Sequence, residues 1–227
     1  MIPSLDVVIP TLNAAASLAL TLAALGASAA LSLTVTVCDG GSRDDTPSIA
    51  REAGARVVTA PPGRGQQLAT GAEAGQAPWL FFLHADSRPG PGWADAVERF
   101  VAAPDNQDRA AYLRLRFESF DPRARRIERL VGWRSRTLGL PYGDQGLILS
   151  RAFYRRLGGF AAIPLMEDVD LVRRIGRRRL VPLAADMITS ARRYERDGWM
   201  LRPLRNLSCL TLYFAGLSPH TIRRLYG

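Results

Sequence analysis

The sequence predicts an α/β fold in which a mostly parallel sheet is flanked by helices and followed by a helical C-terminal extension. Short apolar runs rich in β-branched residues alternate with helix-like segments through residues 5–83. Turns of Gly, Pro and Asp separate these segments. Such alternation is typical of βαβ units, which build a parallel sheet with helices on both faces. The 227 residues are enough for one domain with a substantial core.

In the first half, apolar runs predict strands at 5–10, 33–38, 56–60 and 79–83. Helices are predicted at 17–30, 46–53 and 66–74. Ser17 is the expected N-cap of the first helix. Thr46 followed by Pro47 is a typical start for the second, since Pro fits the first helical position.

The second half is less regular. Strands are predicted at 111–117, 146–149, 181–184 and 187–190, and helices at 123–138, after 149 as far as 157, and at 167–177. An amphipathic segment at 199–216 is too polar and interrupted for a membrane span.

Composition limits the function classes. The net charge of +9 fits nucleic acid or an anionic membrane as a partner. However, the chain has no lysine and is rich in Arg and Ala, which indicates coding bias. The aromatic residues are few and not interleaved with the Arg clusters, so nucleic acid is not expected. Cys38 and Cys209 suggest neither a disulfide framework nor a metal site, and no signal peptide is visible, so a cytoplasmic location is expected.

Polar residues follow the predicted strands, where parallel sheets bind ligands. IPTLN (9–13) follows the first strand, and CDGGSRDDT (38–46) follows the second. Asp39 is placed to accept a hydrogen bond from a nucleobase, and Gly41 permits close backbone approach. The alternative is an ordinary strand-to-helix turn.

Two later motifs suit a diphosphate. The Gly-rich loop PPGRGQQLATG (61–71) places Arg64 beside a helix N-terminus, although it lacks the Walker A pattern. HADS (84–87) places Asp86 to bind a hard divalent cation. The alternative for Asp86 is a capping role in a turn.

MEDVDL (166–171) places three carboxylates at a predicted helix start. Acidic residues there interact favourably with the helix dipole. Alternatively, one of these carboxylates acts as a general base, since neighbouring like charges raise a carboxyl pKa.

The order of these motifs, together with GDQG (143–146), resembles the family-2 glycosyltransferases, whose fold is the Rossmann-like GT-A fold. The resemblance covers nearly the whole chain. It is strongest to a bacterial subfamily encoded near radical-SAM, selenium-related or arsenosugar genes. It implies one domain over 1–227, with a nucleotide-sugar-binding half (1–110), an acceptor and catalytic half (111–198) and a helical tail (199–227).

The resemblance implies roles for individual residues. Nucleotide-sugar binding is expected of Pro10, Thr11, Asp39, Gly41, Arg64, His84 and Asp86. Asp86 would also bind Mg²⁺ or Mn²⁺, although His84 stands where the family's DxD motif has its first Asp. Asp168 would be the general base. Contacts with the donor or acceptor sugar are expected of Asp144, Gln145 and Glu167. Arg192 or Arg193 would neutralise the diphosphate.

The implied activity is an inverting transfer of a sugar from a UDP-sugar to an unidentified small-molecule or lipid acceptor. A sugar-phosphate nucleotidyltransferase is disfavoured because no lysine follows the first strand. A non-catalytic basic module that binds membrane or nucleic acid is the other alternative. The tail packs on the core or on a second subunit to form a homodimer, or it attaches the chain to the inner face of an anionic membrane.

Overall fold

The computed structural model describes residues 2–26 and 30–226, the side chains of 193, 225 and 226 excepted. The strands are β1 (Ser4–Thr11), β2 (Ser32–Asp39), β3 (Arg56–Thr59), β4 (Trp79–Phe82), β5 (Ser87–Pro89), β6 (Ala110–Glu118), β7 (Leu147–Ser150) and β8 (Leu180–Ser190). The helices are α1 (Ala15–Gly26), α2 (Thr46–Glu52), α3 (Arg64–Glu73), α4 (Trp93–Ala102), α5 (Pro122–Leu138), α6 (Arg151–Arg156), α7 (Glu167–Ile175), α8 (Arg192–Asp197), α9 (Leu201–Phe214) and α10 (Pro219–Tyr226).

The strands of the described residues form one sheet in the order β3-β2-β1-β4-β7-β6-β8-β5. Strand β1 pairs in parallel with β2 and β4, and β2 with β3. Strand β7 is antiparallel to both β4 and β6, and β5 is antiparallel to β8. The remaining pair, β6 and β8, is parallel. The predicted mostly parallel α/β sheet is therefore confirmed.

Two apolar clusters cover the two faces of this sheet. Successive side chains of a strand point to opposite faces. Accordingly Val7 joins a cluster with helices α1 and α4, whereas Val8 joins one with α3, α6 and α7. Burial on both faces explains why β4 is a continuous apolar run and why β1 carries apolar residues on both of its faces.

Several predicted bounds were wrong. The strands predicted at 181–184 and 187–190 are one continuous strand, β8. The intervening Ala and Asp residues have low strand propensity, but β8 pairs with β6 on one side and β5 on the other. Helix α1 begins at Ala15, so Ser17 lies inside its first turn and donates to the carbonyl of Ala14. Residues 27–29 of the predicted first helix lie outside the described residues.

Three elements were not predicted from the sequence: β5, α4 and α8. Helix α4 was missed although it is amphipathic, with Trp93, Val97 and Phe100 buried on one face. These three side chains pack in the same apolar cluster as Val7. The segment that carries Asp86 is therefore followed by the short strand β5 and then by a core helix.

A buried ion pair joins the start of the sheet to α6. Asp6 and Arg151 are both buried, and Arg151 Nη2 donates to Asp6 Oδ2 at 2.5 Å. Arg151 Nε also donates to the carbonyl of Ala77, whose N–H donates to Asp6, each at 2.8 Å. A Cβ atom at Gly75 would lie 2.2 Å from Asp6 Oδ2, so only glycine fits there.

Replacing Arg151 by methionine should reduce the free energy of unfolding by about 3–5 kcal/mol, because Asp6 would remain buried without its counter-charge. Chemical denaturation followed by circular dichroism measures this loss. Arg155→Met is the matched control on the same helix. The Arg155 side chain is 61% exposed and 3.9 Å from Glu73, so its loss should cost less than about 1 kcal/mol. Equal losses for the two variants would contradict the prediction.

Candidate active site

A cleft beside the ends of the sheet brings together five of the predicted site residues: Arg64, His84, Asp86, Asp144 and Asp168. The fold explains this meeting. Because β7 is antiparallel to β4, the start of β7 lies beside the end of β4. The turn that carries Asp144 before β7 therefore meets the segment that carries His84 and Asp86 after β4.

Helix α7 presents Asp168 to the cleft. Its Oδ2 accepts a hydrogen bond from the N–H of Gly143 at 2.8 Å, and its Oδ1 accepts one from the N–H of Val169 at 2.7 Å. The preceding Met166 has φ +66°, a left-handed conformation that is uncommon for a non-glycine residue. Such strained backbone is concentrated at functional sites.

The Asp144 carboxyl lies in an environment that disfavours its charged form. Its Oδ1 is buried and accepts no hydrogen bond within the described residues. Burial raises the pKa of Asp144 to about 6. Arg134 opposes this shift, whereas the charges of Asp168 and Asp86 add to it. The site therefore contains carboxylates that repel one another.

Glu167 lies beneath Arg64 and is completely buried. Arg64 Nε lies 2.9 Å from Glu167 Oε1, but neither carboxylate oxygen accepts a well-aligned hydrogen bond in the described structure. The contact is therefore an ion pair without hydrogen-bond geometry. Burial raises the pKa of Glu167 to about 7, Arg64 counteracts this shift, and Asp168 adds to it.

The imidazole of His84 packs against the backbone of Gly143. A Cβ atom at position 143 would lie 2.4 Å from His84 Nε2, so a larger residue there would displace the imidazole. Gly143 thus contacts the segment after β4 through His84, and it also donates its N–H to Asp168.

A second group of predicted residues lies where β1 and β2 end. The carboxylate of Asp39 accepts hydrogen bonds from the hydroxyls of Thr11 and Ser42 and from the N–H groups of Gly41 and Ser42. Burial raises the pKa of Asp39, but these hydrogen bonds outweigh it, and the net shift is downward. Gly41 has φ +91°, which favours glycine.

Gln67 supports this second group and was not predicted. Its buried amide nitrogen donates to the carbonyls of Thr11 (2.6 Å) and Cys38 (2.8 Å). It therefore ties α3 to the ends of β1 and β2. Pro10 is buried in β1 beside Thr11.

Two further predicted residues, Gln145 and Arg192, also do not line the cleft. Gln145 is buried, accepts from Ser135 at 2.9 Å and donates to the carbonyl of Leu113 at 3.0 Å, which fixes the turn around Asp144. Arg192 begins α8 and is exposed. Their predicted sugar and diphosphate contacts stay predictions. The side chain of Arg193 lies outside the described residues.

Other cleft residues were not predicted from the sequence: Tyr142, Tyr194, Arg202 and Asn206. Arg134 was also missed; its guanidinium stacks 3.4 Å from the centre of the Tyr142 ring. Arg202 is buried and paired with Asp197 at 2.8 Å. Arg134 comes from α5 and Arg202 from α9.

The α/β sheet and its cleft of convergent acidic and basic side chains define a ligand-binding protein with its site beyond the strand ends. Residues 6–157 match the family model "Glycosyl transferase family 2", and the chain belongs to this family. It is therefore a glycosyltransferase. This membership argues against the nucleotidyltransferase and the non-catalytic module.

Solved structures of glycosyltransferases share the fold. Glucosyl-3-phosphoglycerate synthase from Mycobacterium tuberculosis, with Mn²⁺, UDP and glucosyl-3-phosphoglycerate, is 20% identical, with a TM-score of 0.56 over 83% of this chain and 70% of that chain. A mannosyltransferase from Pyrobaculum calidifontis, with GDP-Man and Mn²⁺, is 18% identical, with a TM-score of 0.66 over 99% and 68%. S. aureus TarS 1-349, with UDP-GlcNAc, is 14% identical, with a TM-score of 0.60 over 82% and 58%. These likenesses confirm the GT-A fold.

No curated protein matches the sequence significantly. Among the described residues, no helix combines the length and apolarity needed to cross a membrane.

Replacing Glu167 by glutamine should change how stability depends on pH. The folded-state pKa of about 7 exceeds the ordinary value of 4.5, so the folded chain binds the extra proton. The wild type should therefore lose stability as pH rises through this window, whereas glutamine stays neutral. From pH 5 to pH 8, the stability of the variant relative to wild type should rise by about 2–3 kcal/mol.

Urea denaturation at both pH values measures this difference. The exposed Glu52→Gln on α2 is the control and should show a difference that is nearly constant with pH. A pH-independent difference for Glu167→Gln would contradict the raised pKa.

Proposed function

We propose that the chain transfers a sugar from a UDP-sugar to a nucleophilic group of an acceptor, with inversion at the sugar C1. The observation that carries the proposal is the meeting of Asp86, Asp144, Asp168 and Arg64 in one cleft of a family-2 glycosyltransferase. Related folds bind UDP, UDP-glucose or GDP-Man together with Mn²⁺, which supports a nucleotide-sugar donor.

The acidic cleft fits a divalent cation, Mg²⁺ or Mn²⁺. Asp86 and Asp144 offer hard oxygen ligands, and their repulsion and the unbonded Oδ1 of Asp144 would be relieved by positive charge. The described residues contain no group of three His, Cys, Asp or Glu side chains that could hold a metal ion. Diphosphate oxygens would complete the coordination, as is usual for Mg²⁺. When bound through Asp86, the cation supplies charge stabilisation to the leaving diphosphate.

The donor would lie along the ends of β1, β2 and β4. Asp39, kept ionised by its hydrogen bonds, would accept from the nucleobase, with Pro10, Thr11 and Gly41 lining the same position. Diphosphate oxygens would accept from Arg64 and from the first N–H groups of α3.

Further residues would contact the ends of the donor. His84 would hydrogen-bond the ribose. Arg192 or Arg193 would neutralise the diphosphate. Asp144, Gln145 and Glu167 would contact the donor or acceptor sugar. For Glu167, the ion pair with Arg64 supports an indirect role, in which Glu167 orients Arg64.

Asp168 would be the general base. The hydrogen bonds from Gly143 and Val169 orient its carboxylate, so it is fixed before an acceptor arrives. It would remove the acceptor's proton as the acceptor atom bonds to C1 and the bond from C1 to the UDP oxygen breaks. Attack from the face opposite the leaving group in one displacement gives inversion.

The acceptor class is part of the same proposal. Membership in the subfamily encoded near radical-SAM, selenium-related or arsenosugar genes stays a prediction. It favours a small-molecule acceptor, which would enter beside Asp168.

Replacing Asp168 by asparagine should lower kcat by at least about 100-fold, the usual contribution of a general base. UDP-sugar affinity should change little, because the amide keeps the shape of the side chain. Release of UDP measures turnover, and isothermal titration measures binding.

Asp170→Asn is the matched control on the same helix. Asp170 pairs with Arg174 instead of facing the cleft, so turnover should stay within a few-fold of wild type. Near-normal turnover by Asp168→Asn, or an equal loss in both variants, would overturn the assigned role.

Replacing Asp86 by asparagine should abolish the stabilisation of the protein by UDP with Mn²⁺. The amide carries no charge and is a weaker ligand for a hard cation. Thermal shift with UDP, Mn²⁺ and both together measures the effect. The exposed Asp95→Asn on α4 should retain the wild-type shift. A wild-type shift in Asp86→Asn would exclude Asp86 as the metal ligand.

A further inference from the structure

The helix α9 exposes a row of large apolar side chains. Leu201, Leu204, Leu207 and Phe214 are 69, 55, 58 and 49% exposed, and the adjoining Met200 is 77% exposed. Residues three, four or seven positions apart share one side of a helix, so Leu201, Leu204 and Leu207 form an apolar stripe, and Phe214 lies on the same side two turns further along. Contiguous exposed apolar surface of this kind marks an interaction site.

The opposite face of α9 is occupied. Cys209 and Leu210 are buried, and Arg202, Asn206 and Cys209 line the cleft. The apolar stripe therefore plays no part in packing α9 against the rest of the chain. Its residues are large and aliphatic or aromatic, whereas a solvated helix face would carry charged residues.

Basic residues accompany the stripe without any acidic ones. From Gly198 to the C-terminus, the sequence has four arginines and no Asp or Glu. Arg202 is buried and paired with Asp197, whereas Arg205, Arg223 and Arg224 are exposed. Ile222 of α10 packs in the cluster that contains Cys209, so α10 lies against the buried side of α9. Arg205 lies four positions after Leu201, beside the stripe.

We propose that the apolar stripe and the exposed arginines dock on an anionic lipid surface. An apolar helix face with an exposed arginine beside it is the chemistry that inserts at a headgroup boundary. Each exposed arginine near such a surface adds roughly fivefold to partitioning, and each buried leucine adds at least about tenfold. A second copy is a poorer occupant, because symmetric pairing would bring these arginines together with no acidic partner in the segment.

Sedimentation of the full chain with vesicles tests the proposal. The vesicles contain phosphatidylcholine alone or mixed with phosphatidylglycerol, at low and high salt. We expect binding to the anionic vesicles that weakens with salt, and little binding to the neutral ones. Equal binding to both vesicles, or none to either, would overturn the proposal.

Variants distinguish lipid binding through the stripe from nonspecific binding by other exposed apolar residues. Leu204→Ser with Leu207→Ser should lower partitioning by at least about tenfold. Leu20→Ser on α1 is the control, since Leu20 is 57% exposed and lies on another helix. Arg205→Gln together with Arg223→Gln and Arg224→Gln should remove most of the preference for anionic lipid, whereas Arg51→Gln on α2 should not. If the leucine variant binds anionic vesicles as strongly as the wild type does, the proposal is wrong.

Light scattering tests the competing occupant. A dimer that the Leu204→Ser, Leu207→Ser variant converts to monomer, without vesicle binding by the wild type, would assign the stripe to a second copy and overturn lipid docking. All of these measurements are made without donor. Their outcome is therefore independent of the proposed transfer reaction.

Discussion

Repulsion among the carboxylates of Asp86, Asp144 and Asp168 is the constraint around which the cleft is built. The antiparallel pairing of β4 and β7 places the first two at one edge of the sheet, and α7 adds the third. Burial leaves one oxygen of Asp144 without a hydrogen bond, so no donor of the described residues stabilises negative charge on that oxygen. The folded chain retains this unfavourable charge arrangement, as proteins do where a ligand supplies the balancing charge.

The arginines around the cleft are fixed by contacts that do not use a ligand. Arg134 stacks on Tyr142, and Arg64 is paired with the buried Glu167. Long side chains normally lose much conformational entropy when they bind an anion. Because folding already orders these two, less of that entropy is lost on binding, which favours affinity without additional contacts.

Much of the first half was predictable, because apolar runs and turn residues report local structure directly. The types and positions of Asp86 and Asp168 were also sufficient to place them at strand and helix ends. Arg134 and Arg202 were not predictable, since their positions depend on how α5 and α9 fold back over the sheet. In a chain whose 30 basic residues are all arginine, composition does not distinguish a cleft arginine from a solvated one. The sequence pattern predicted two strands in place of β8, because the strands that pair with β8 are distant in sequence.

Gly143 connects two parts of the cleft. Its backbone touches the His84 ring on one side and donates its N–H to Asp168 on the other. A displacement of the segment after β4 therefore moves the peptide that orients the carboxylate of α7. A close-packed interior transmits such shifts with little damping. Gly143 therefore couples the position of His84 to that of Asp168 through one packing contact and one hydrogen bond.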